Sequence, residues 1–481
     1  MREYQKVKQN NNIKALKSGV WYTASSFLVK CMGFITTPIF ARLLTKGEYG
    51  EYSNFLSWLN IAITLIGLHI ESSLISARYE YEDKFKQYAL SILTLSAIST
   101  SLWLIFGNLF SKQLSAFLEM SVLYINLMFV YCLFITIVHV FQACERYLYQ
   151  YKRSVFVSLF MAFSTTILSV ILVLTMDDGL TGRILGHTVP VFFIGAVLLV
   201  MLYRDGKSID PSCWKFALKI SIPYIPHQLS LSVLHASNKV MITKMFGAAT
   251  NALYSVAYTV SHMAVFLITS LNMAFSPWLA EKVAEDDRAS IRKVTRIYIL
   301  GFAFIALGIM LLAPEILLVM GGKQYLEAKY VMPPVALCCV LQFLCTLFVN
   351  LEQIKKKTVG MAFASASAAV VNVVLNLVLM PKFGYVASGY SISISYFLLM
   401  LVHIGLVRRL GCGDMYDIKM MFATVAGMLL LMLGVNLLYG VTLLRYGVIL
   451  LYAAVFLAVA WKYRKMILLV LRKDRKKKPN A

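Results

Sequence analysis

The sequence predicts an all-α integral membrane protein with about 14 transmembrane helices. Three observations predict this fold class: apolar stretches long enough to cross a bilayer, basic residues concentrated in every second gap between them, and an internal repeat. A spanning helix needs about 20 predominantly apolar residues. The stretches lie at 18–41, 51–76, 88–110, 121–144, 154–175, 184–203, 218–243, 252–278, 297–313, 330–350, 358–380, 385–407, 420–439 and 446–463.

The lysine and arginine residues alternate between the two sides of the membrane. With the N-terminus placed inside, the inside segments hold 35 of them and the outside segments hold nine, and Lys30 and Lys239 fall within spans. Cytoplasmic loops carry the positive excess in membrane proteins. We therefore expect both termini to be cytoplasmic.

The composition excludes a soluble domain. Hydrophobic residues make up 59% of the chain, charged residues 14%, and the mean hydropathy is +0.72, whereas soluble domains average about 25% charged residues. The net charge of +23 lies in short loops and in the C-terminal tail. This placement indicates orientation and attraction to anionic lipid rather than binding of nucleic acid. The first apolar run is too long for the core of a signal peptide and predicts an anchoring first span.

Motifs for catalysis or cofactor binding are absent from the sequence. The eight cysteines lie in spans or inside loops without zinc-site spacing, and we interpret them as small apolar fillers. The segment MLYRDGKS at 201–208 ends like a phosphate-binding loop, but Met201 stands where that pattern needs glycine. We therefore expect no enzyme activity and no cofactor.

An internal repeat organises the chain. In the first half the dipeptide Leu16-Lys17 is followed 36 residues later by Tyr52-Ser53. In the second half Leu218-Lys219 is followed at the same spacing by Tyr254-Ser255. Equivalent residues of the two halves are 202 residues apart. Six spans separate equivalents, so the halves run parallel, which is typical of transporters with a substrate site between the halves. The predicted units are an N-terminal lobe at 1–203 (spans 1–6), a cytoplasmic inter-lobe loop at 204–217, a C-terminal lobe at 218–407 (spans 7–12), spans 13 and 14 at 408–463, and a basic cytoplasmic tail at 464–481.

Polar residues recur with helical spacing in four spans, and this spacing places each set on one helix face. Packing of small residues between helices explains such stripes, and so does a water-filled cavity. The four stripes are Thr23, Ser26, Lys30, Gly33 and Thr37 in span 1; Ser53, Ser57, Asn60, Thr64, Gly67 and Glu71 in span 2; Gln228, Ser232, His235 and Lys239 in span 7; and Ser255, Thr259 and His262 in span 8.

Charged residues within these stripes favour the cavity. A charge near the bilayer centre costs at least about 2.5–3.5 kcal/mol. Close packing of helices does not require a charged residue there. Lys30, Lys239 and Glu71 therefore predict a solvated site on the pseudo-twofold axis, although a structural pair between a lysine and Glu71 also satisfies the pattern. We expect Glu71 to sense a coupling cation or to oppose Lys30. The residues expected to bind a substrate in this site are Lys30, Lys239, His235, Gln228, Ser232, Asn60 and Ser26.

Prolines and histidines add candidates for movement and proton transfer. Pro223 and Pro226 each remove a backbone donor from span 7, which predicts either a bend that moves during alternating access or a static kink. Histidine titrates near neutrality, so each histidine in span 7 or 8 is a candidate proton relay or a hydrogen-bonding cavity residue: His227, His235 and His262. His69 belongs to no stripe. Asn372 and Asn376, one turn apart in span 11, are expected to bond to a neighbouring helix.

Several segments resemble one family. They include SGVWYTASSFLVKCMGFITTPIFARLLTKGEYGEYSNF, ISIPYIPHQLSLSVLHASNKVMITKMFGAATNALYSVAYTVS, NMAFSPWLAEKV, GGKQYLEAKYVMPPVAL and VVNVVLNLVLMPKFGYVASGYSIS. They are similar to bacterial polysaccharide flippases of the O-antigen or capsule type, within the multidrug, oligosaccharidyl-lipid and polysaccharide exporter superfamily. The resemblance covers nearly the whole chain.

This resemblance implies two six-helix lobes plus two C-terminal helices around a central cavity in the bacterial inner membrane. It implies movement of an undecaprenyl-diphosphate-linked oligosaccharide from the inner to the outer leaflet, with the bilayer and proteins of polysaccharide polymerisation and chain-length control as partners. Lys30 and Lys239 match basic cavity positions of the family. Asn238 stands where relatives often carry an acidic residue.

Two other functions compete with this interpretation. A drug or cation antiporter of the same superfamily would favour an acidic cavity, and the predicted cavity is net basic. A membrane polysaccharide polymerase would need catalytic residues on sizeable outer loops, and the predicted outer loops are short.

Overall fold

The computed structural model describes residues 21, 25–29, 31–148, 150–355 and 359–475. The described residues form helices and connecting turns, with no strand among them. In the first half the α-helices are α1 Ser25–Leu43, α2 Lys46–Ile66, α3 Leu74–Glu80, α4 Phe85–Leu109, α5 Ser111–Leu118, α6 Val122–Tyr147, α7 Tyr151–Thr175 and α8 Gly179–Gly206. Short 3₁₀ turns at Ile70–Ser73 and Glu82–Lys84 flank α3.

The second half repeats this arrangement and adds two helices. Its α-helices are α9 Cys213–Phe246, α10 Ala248–His262, α11 Ala264–Ala284, α12 Arg288–Leu311, α13 Ala313–Met320, α14 Met332–Ile354, α15 Val359–Phe383, α16 Ala387–Arg409, α17 Ile418–Leu438 and α18 Thr442–Arg475. A 3₁₀ segment at Lys323–Tyr330 precedes α14. The predicted all-α membrane fold is confirmed.

The predicted spans coincide with helices, although fewer than 14 of these helices are long and apolar enough to qualify as spans. Among the described residues ten helices are long and apolar enough to cross a membrane, or eleven when α2 and the bent segment Ile70–Glu80 count as one. The remaining predicted spans fall on α9, on α10 with α11, and on α18. Helices α9 and α10 carry predicted polar stripes, which lower their hydropathy. The apolar part of α18 is short and covers Thr442–Ala458.

Helix starts follow local capping signals. Thr45 and Glu48 form a reciprocal capping box at the start of α2, and the side chains of Ser121 and Asp178 accept N–H groups at the starts of α6 and α8. Such caps satisfy backbone donors that have no partner within the helix. These starts share one end of the bundle, which the charge distribution predicts to face outward and which we call the outer end.

The predicted span at 51–76 is not one continuous helix. It bends by 48°, because Leu68 and His69 adopt left-handed backbone angles with φ of 55° and 45°. Thr136 packs against Gly67 so closely that a Cβ there would lie 2.5 Å from its hydroxyl. The prediction of one stripe reaching to Glu71 is therefore wrong beyond Gly67, because the break ends the helical period.

Two separate clusters of buried apolar residues form the cores of the two lobes. The N-terminal cluster runs from Tyr52 to Ala217 and the C-terminal cluster includes residues from Leu234 to Tyr439. Helix α9 contributes to both, with Cys213 and Ala217 in the first and Leu234 in the second. It therefore crosses from one lobe to the other, and it begins five residues before the predicted span. The remaining domain boundaries stay predictions.

The repeat is visible where the lobes meet at the outer end. Helices α2 and α10 begin 202 residues apart, and the hydroxyls of Ser53 and Ser255, also 202 residues apart, lie 2.6 Å from each other. Asn251 donates to the carbonyl of Gly50 over 3.0 Å. A Cβ on Gly50 would lie 1.7 Å from the carbonyl oxygen of Ala248, so only glycine permits this approach.

Helix α18 is fixed to the C-terminal lobe at its first turn. The guanidinium of Arg445 donates two hydrogen bonds to Glu315, of 2.9 and 2.6 Å, and Arg445 is 5% exposed. Tyr439, just after α17, donates to the carbonyl of Met310 over 2.6 Å. These contacts hold the two extra helices against α12 and α13.

Candidate functional site

A cavity of about 180 Å³ lies where the two lobes meet, and we call it the central cavity. It brings together side chains from α1, α2, α8, α9 and α10. The residues that line it are Gly33, Thr36, Thr37, Phe40, Tyr49, Tyr52, Ser53, Leu56, Arg183, Lys239, Ser255 and Thr259. Hydroxyl groups and two cations therefore share a small space between the helices of the two lobes.

Arg183 on α8 supplies the cation of the N-terminal lobe. Its guanidinium carbon lies 3.7 Å from the centre of the Phe40 ring and 4.3 Å from that of Tyr52. It donates to the hydroxyl of Ser169 over 2.6 Å, while its Nε has no partner among the described residues. Cation–π contacts are strongest where water is excluded, and Arg183 is 8% exposed.

Sequence reasoning missed Arg183. The predicted span began at residue 184, so Arg183 counted as a residue of an outer loop. In the structure α8 begins at Gly179, and Arg183 lies one turn into the helix. The aspartate cap at 178 and the following glycine were the signals that mark the earlier start.

Lys239 on α9 supplies the cation of the C-terminal lobe. Its ammonium lies 5.4 Å from the centre of the Tyr258 ring. The predicted polar stripes contribute Ser53 on α2 and Ser255 and Thr259 on α10 to the same cavity. Lys239 therefore lies among hydroxyls, as the sequence predicts. It shares the cavity with Arg183, which the sequence did not predict. Lys30, its predicted counterpart on span 1, lies outside the described residues.

Two predicted histidines form an aromatic cluster beside Lys239. The ring of Tyr258 stacks on His262 with 4.7 Å between centres, and its hydroxyl lies 3.3 Å from Nδ1 of His235. The centres of the two imidazoles are 5.7 Å apart. The cluster supports the helix face that carries Lys239, and neither imidazole lines the central cavity.

The other predicted binding residues lie away from this cavity. Ser26 on α1 is exposed, and Gln228 and Ser232 on α9 are half-buried. Asn60 is exposed and donates to the carbonyl of Leu56 over 2.8 Å. None of these four side chains lines the central cavity, so their role in binding stays a prediction.

Glu71 lies in a different cavity from Lys239. Its carboxylate is 3.0 Å from Nδ1 of His69 and 3.9 Å from Nδ1 of His139. His69, which we assigned to no stripe, is therefore its nearest partner. The helix break after Gly67 explains this placement, because it removes Glu71 from the face that carries Ser53.

The prolines of α9 do not interrupt the helix. Pro223 and Pro226 are exposed, and α9 is continuous through both. Their neighbours Ser221 and Tyr224 touch the N-terminal lobe at the inner end, where the Tyr224 ring stacks on His69 at 5.3 Å. Whether this segment moves stays a prediction.

Asparagines on α15 bond to α9, as predicted. The amides of Asn372 and Asn376 both donate to the side-chain oxygen of Asn238, over 2.9 and 2.6 Å. The amide of Asn238 donates in turn to the hydroxyl of Tyr254 over 2.9 Å. These three asparagines are fully buried, and the network fixes the helix turn that precedes Lys239.

A larger cavity of about 870 Å³ lies between the lobes at the outer end, and we call it the outer vestibule. Four carboxylates line it: Glu48, Glu51, Glu119 and Asp178. The hydroxyl of Thr181 donates to Asp178, and this bond holds the pKa of that carboxyl below its ordinary value. The vestibule is therefore negative, in contrast to the central cavity.

The sequence matches the polysaccharide biosynthesis protein family over residues 15–283, more than half of the chain. The chain belongs to this family. A relative from Haemophilus influenzae (strain ATCC 51907 / DSM 11121 / KW20 / Rd), described as an uncharacterized membrane protein, is 23% identical over 334 residues, which are 66% of this chain and 78% of the relative.

Solved structures of transporters share the fold of this chain. The lipid II flippase MurJ in its inward closed conformation has a TM-score of 0.70 at 12% identity, over 93% of this chain and 100% of that chain. An inward-facing multidrug resistance MATE family transporter has a TM-score of 0.66 at 15% identity, over 80% of this chain and 95% of that chain. The expectation of an all-α, multi-pass membrane protein is confirmed by this fold and by the apolar helices of membrane length among the described residues.

Proposed function

We propose that the protein moves an undecaprenyl-diphosphate-linked oligosaccharide from the cytoplasmic to the outer leaflet of the bacterial inner membrane by alternating access. The observation that carries the proposal is the central cavity, where Arg183 from one lobe and Lys239 from the other share a hydroxyl-lined space. A diphosphate is the anionic group of such a substrate. Both termini are cytoplasmic in this proposal, in keeping with the distribution of basic residues.

The groups that line the central cavity replace the hydration that a diphosphate loses when it leaves water. An isolated charge is prohibitively costly in hydrocarbon unless other groups replace its hydration. Arg183 offers a planar fork for phosphate oxygens and Lys239 a mobile point charge. The hydroxyls of Thr37, Ser53 and Thr259 line the same space. The polyprenyl tail stays in lipid.

The size of the central cavity indicates a contracted state. Ligand pockets typically measure roughly 300–1,000 Å³, and the cavity measures about 180 Å³. This space fits the diphosphate and excludes the oligosaccharide. The lobes must therefore separate to admit the sugar, first at the inner end and then at the outer end where Ser53 meets Ser255.

The outer vestibule favours release of the substrate at the outer end. A diphosphate that leaves Arg183 and Lys239 at the outer end enters a space lined by four carboxylates. Like charges repel, most strongly where water is scarce. The vestibule therefore lowers the affinity of the outward-open site for the diphosphate.

Flipping by the purified protein in proteoliposomes tests the proposal. The substrate is undecaprenyl-diphosphate-linked oligosaccharide, and a membrane-impermeant glycosidase reports the fraction in the outer leaflet. We expect the wild-type protein to equilibrate the lipid and the double variant Arg183→Gln/Lys239→Gln not to do so. Lys329→Gln is the matched control, because its ammonium also lies near an aromatic ring, 5.0 Å from the centre of Tyr330, outside the cavity. Equal flipping by the double variant and the control would refute the proposal.

The second candidate is a drug or cation antiporter of the same superfamily, which the acidic outer vestibule favours. Organic cations would bind Glu48, Glu51, Glu119 and Asp178 rather than the central cavity. Efflux of a fluorescent cation from the same proteoliposomes separates the two. Cation efflux that is lost in Glu51→Gln, without flipping of the lipid-linked sugar, would establish the antiporter instead.

A further inference from the structure

The repeat extends to a basic residue at the outer end of the first helix of each lobe. Arg42 lies in the last turn of α1 and Lys244 in the last turn of α9, and the two are 202 residues apart. The short outer helices α5 (Ser111–Leu118) and α13 (Ala313–Met320) have the same offset and the same length. Each lobe therefore carries an equivalent basic helix end and an equivalent short helix.

Arg42 joins the N-terminal lobe to α13 of the C-terminal lobe. One terminal nitrogen of its guanidinium donates to the carbonyl of Val319 over 2.6 Å and approaches that of Leu318 at 3.4 Å. Both carbonyls lie in the last turn of α13, where backbone acceptors lack helical partners and the helix dipole favours a cation. In return the amide of Gln324 donates to the carbonyl of Ala41 near the end of α1, over 3.2 Å. Each lobe therefore caps a helix end of the other, and we call these contacts the first clasp.

Lys244 joins the C-terminal lobe to α5 of the N-terminal lobe. Its ammonium lies 4.0 Å from the centre of the Phe117 ring, in the last turn of α5. The ring of Trp58 on α2 packs against Phe117 with 5.4 Å between centres, and the amide of Asn54 donates to the carbonyl of Leu118 over 2.9 Å. Helix α2 therefore holds the end of α5 in place for the cation. We call the contact of Lys244 with Phe117 the second clasp.

The two clasps are equivalent in position and different in chemistry. Phe117 and Val319 are 202 residues apart, so each cation meets the same position of the short helix of the other lobe. Arg42 binds a backbone oxygen, whereas Lys244 binds an aromatic face. Both cations are exposed, and at exposed sites a cation–π contact is weaker than a hydrogen bond from a charged group. The first clasp is therefore the stronger one.

Both clasps connect surfaces that part when the outer end opens. Arg42 comes just before α2 and Lys244 just before α10, the helices whose hydroxyls at Ser53 and Ser255 lie 2.6 Å apart. The hydrogen bonds of helix caps within one lobe survive a rigid movement of the lobes. The clasps do not survive it, because each has one partner on either lobe.

We propose that the first and second clasps form a paired latch that holds the outer end closed. The inference rests on the proposed transport by alternating access, and it names the contacts that set the population of the outward-open state. A latch of this kind has to be weak enough to open in every cycle. Two clasps at the exposed rim meet that requirement, because water replaces the lost contacts on opening.

The labelling rate of buried cysteines tests the latch in the absence of substrate. Ser255→Cys reports the outer end, because Ser255 is 2% exposed where the lobes meet, and Ser221→Cys reports the inner end, because Ser221 is fully buried beside Ser72. A polar thiol reagent is added to the protein in nanodiscs, where it reaches both ends. Its rate follows the fraction of time for which the reporter is exposed. The native cysteines are buried or half-buried, and their labelling in the chain without a reporter is subtracted.

The informative variants are Arg42→Gln and Lys244→Gln. We expect labelling of the outer reporter to rise about tenfold when the first clasp is removed and roughly two- to fivefold when the second is removed. The clasps share no residue, so the two factors should multiply in the double variant. Arg42→Lys keeps the charge near α13 and should show a smaller rise. Labelling of the inner reporter should not rise in any of them.

Lys329→Gln is the matched control at the same end of the bundle. Its ammonium lies 5.0 Å from the centre of the Tyr330 ring and 5.6 Å from that of Tyr439, and both rings belong to its own half of the chain. We expect this variant to label at the wild-type rate at both reporters. The melting temperature of every variant is measured alongside.

Three outcomes would overturn the proposal. The first is an outer labelling rate in the double variant equal to that of the control. The second is an equal rise at both reporters, which would show general loosening of the fold. The third is a double variant that labels no faster than Arg42→Gln alone, which would exclude the second clasp from the latch. Because the test contains no lipid-linked sugar, a failure to flip that lipid would refute the proposed function and leave the latch result intact.

Discussion

Replacing Arg183 with glutamine removes one of the two cations of the central cavity and keeps a polar side chain of similar length. In the structure one terminal nitrogen of Arg183 is engaged by Ser169, while Nε has no partner among the described residues. The remaining edge of the guanidinium is therefore available to an anion. Hydrogen bonds to charged groups contribute about 1.5–3 kcal/mol. At 1.4 kcal/mol for each tenfold change, the loss of one predicts a Kd for the diphosphate that is roughly 10- to 150-fold higher.

The assay is equilibrium binding of a short polyprenyl diphosphate to the protein in nanodiscs. Arg183→Lys keeps the charge but not the fork, so we expect a smaller loss than with glutamine. The cation–π contacts with Phe40 and Tyr52 also stabilise the fold, by about 0.5–2 kcal/mol each, so the melting temperature is measured alongside. A correctly folded Arg183→Gln protein with the wild-type Kd would refute the reasoning.

Three further predictions follow from the fold. Gly50→Val should prevent closure at the outer end, because its side chain would overlap the carbonyl of Ala248; cross-linking between cysteines at 53 and 255 measures it, and wild-type yield would contradict it. Glu71→Gln should leave insertion intact and remove the response of flipping to pH, measured in proteoliposomes; an unchanged response contradicts a coupling role. A C-terminal alkaline phosphatase fusion should be inactive in cells, because the tail is predicted to be cytoplasmic; an active fusion contradicts the topology.

Hydropathy and the repeat predicted most of the fold. Apolar stretches placed the helices, since a bilayer demands long uninterrupted helical segments. The offset of 202 residues paired Ser53 with Ser255, and the structure places their hydroxyls 2.6 Å apart. Lys239 was predicted from its cost in the membrane, and it lines the central cavity.

Other parts of the site could not be predicted because they depend on backbone changes or on contacts between distant helices. Arg183 was missed because the predicted span began at residue 184, five residues after the true start of α8 at Gly179. Glu71 lies off the predicted face because the backbone adopts left-handed angles at Leu68 and His69. Histidine is more frequent than most residues at such angles, but a single histidine does not predict a helix break. His139 and His187 are single histidines within apolar stretches of sequence. Only the structure shows that α6 and α8 bring them to the lining of one cavity.

The placement of the two cations on separate lobes has a consequence for the transport cycle. Arg183 belongs to the N-terminal lobe and Lys239 to the C-terminal lobe, so the distance between their charges changes whenever the lobes move. Without an anion the two cations repel each other, and this repulsion favours separation of the lobes. In the proposed function, a bound diphosphate neutralises the repulsion and favours the contracted cavity. The proposed substrate then shifts the population toward the state from which it is carried across. Two cations on one lobe would bind the anion equally in every state and would give no such coupling.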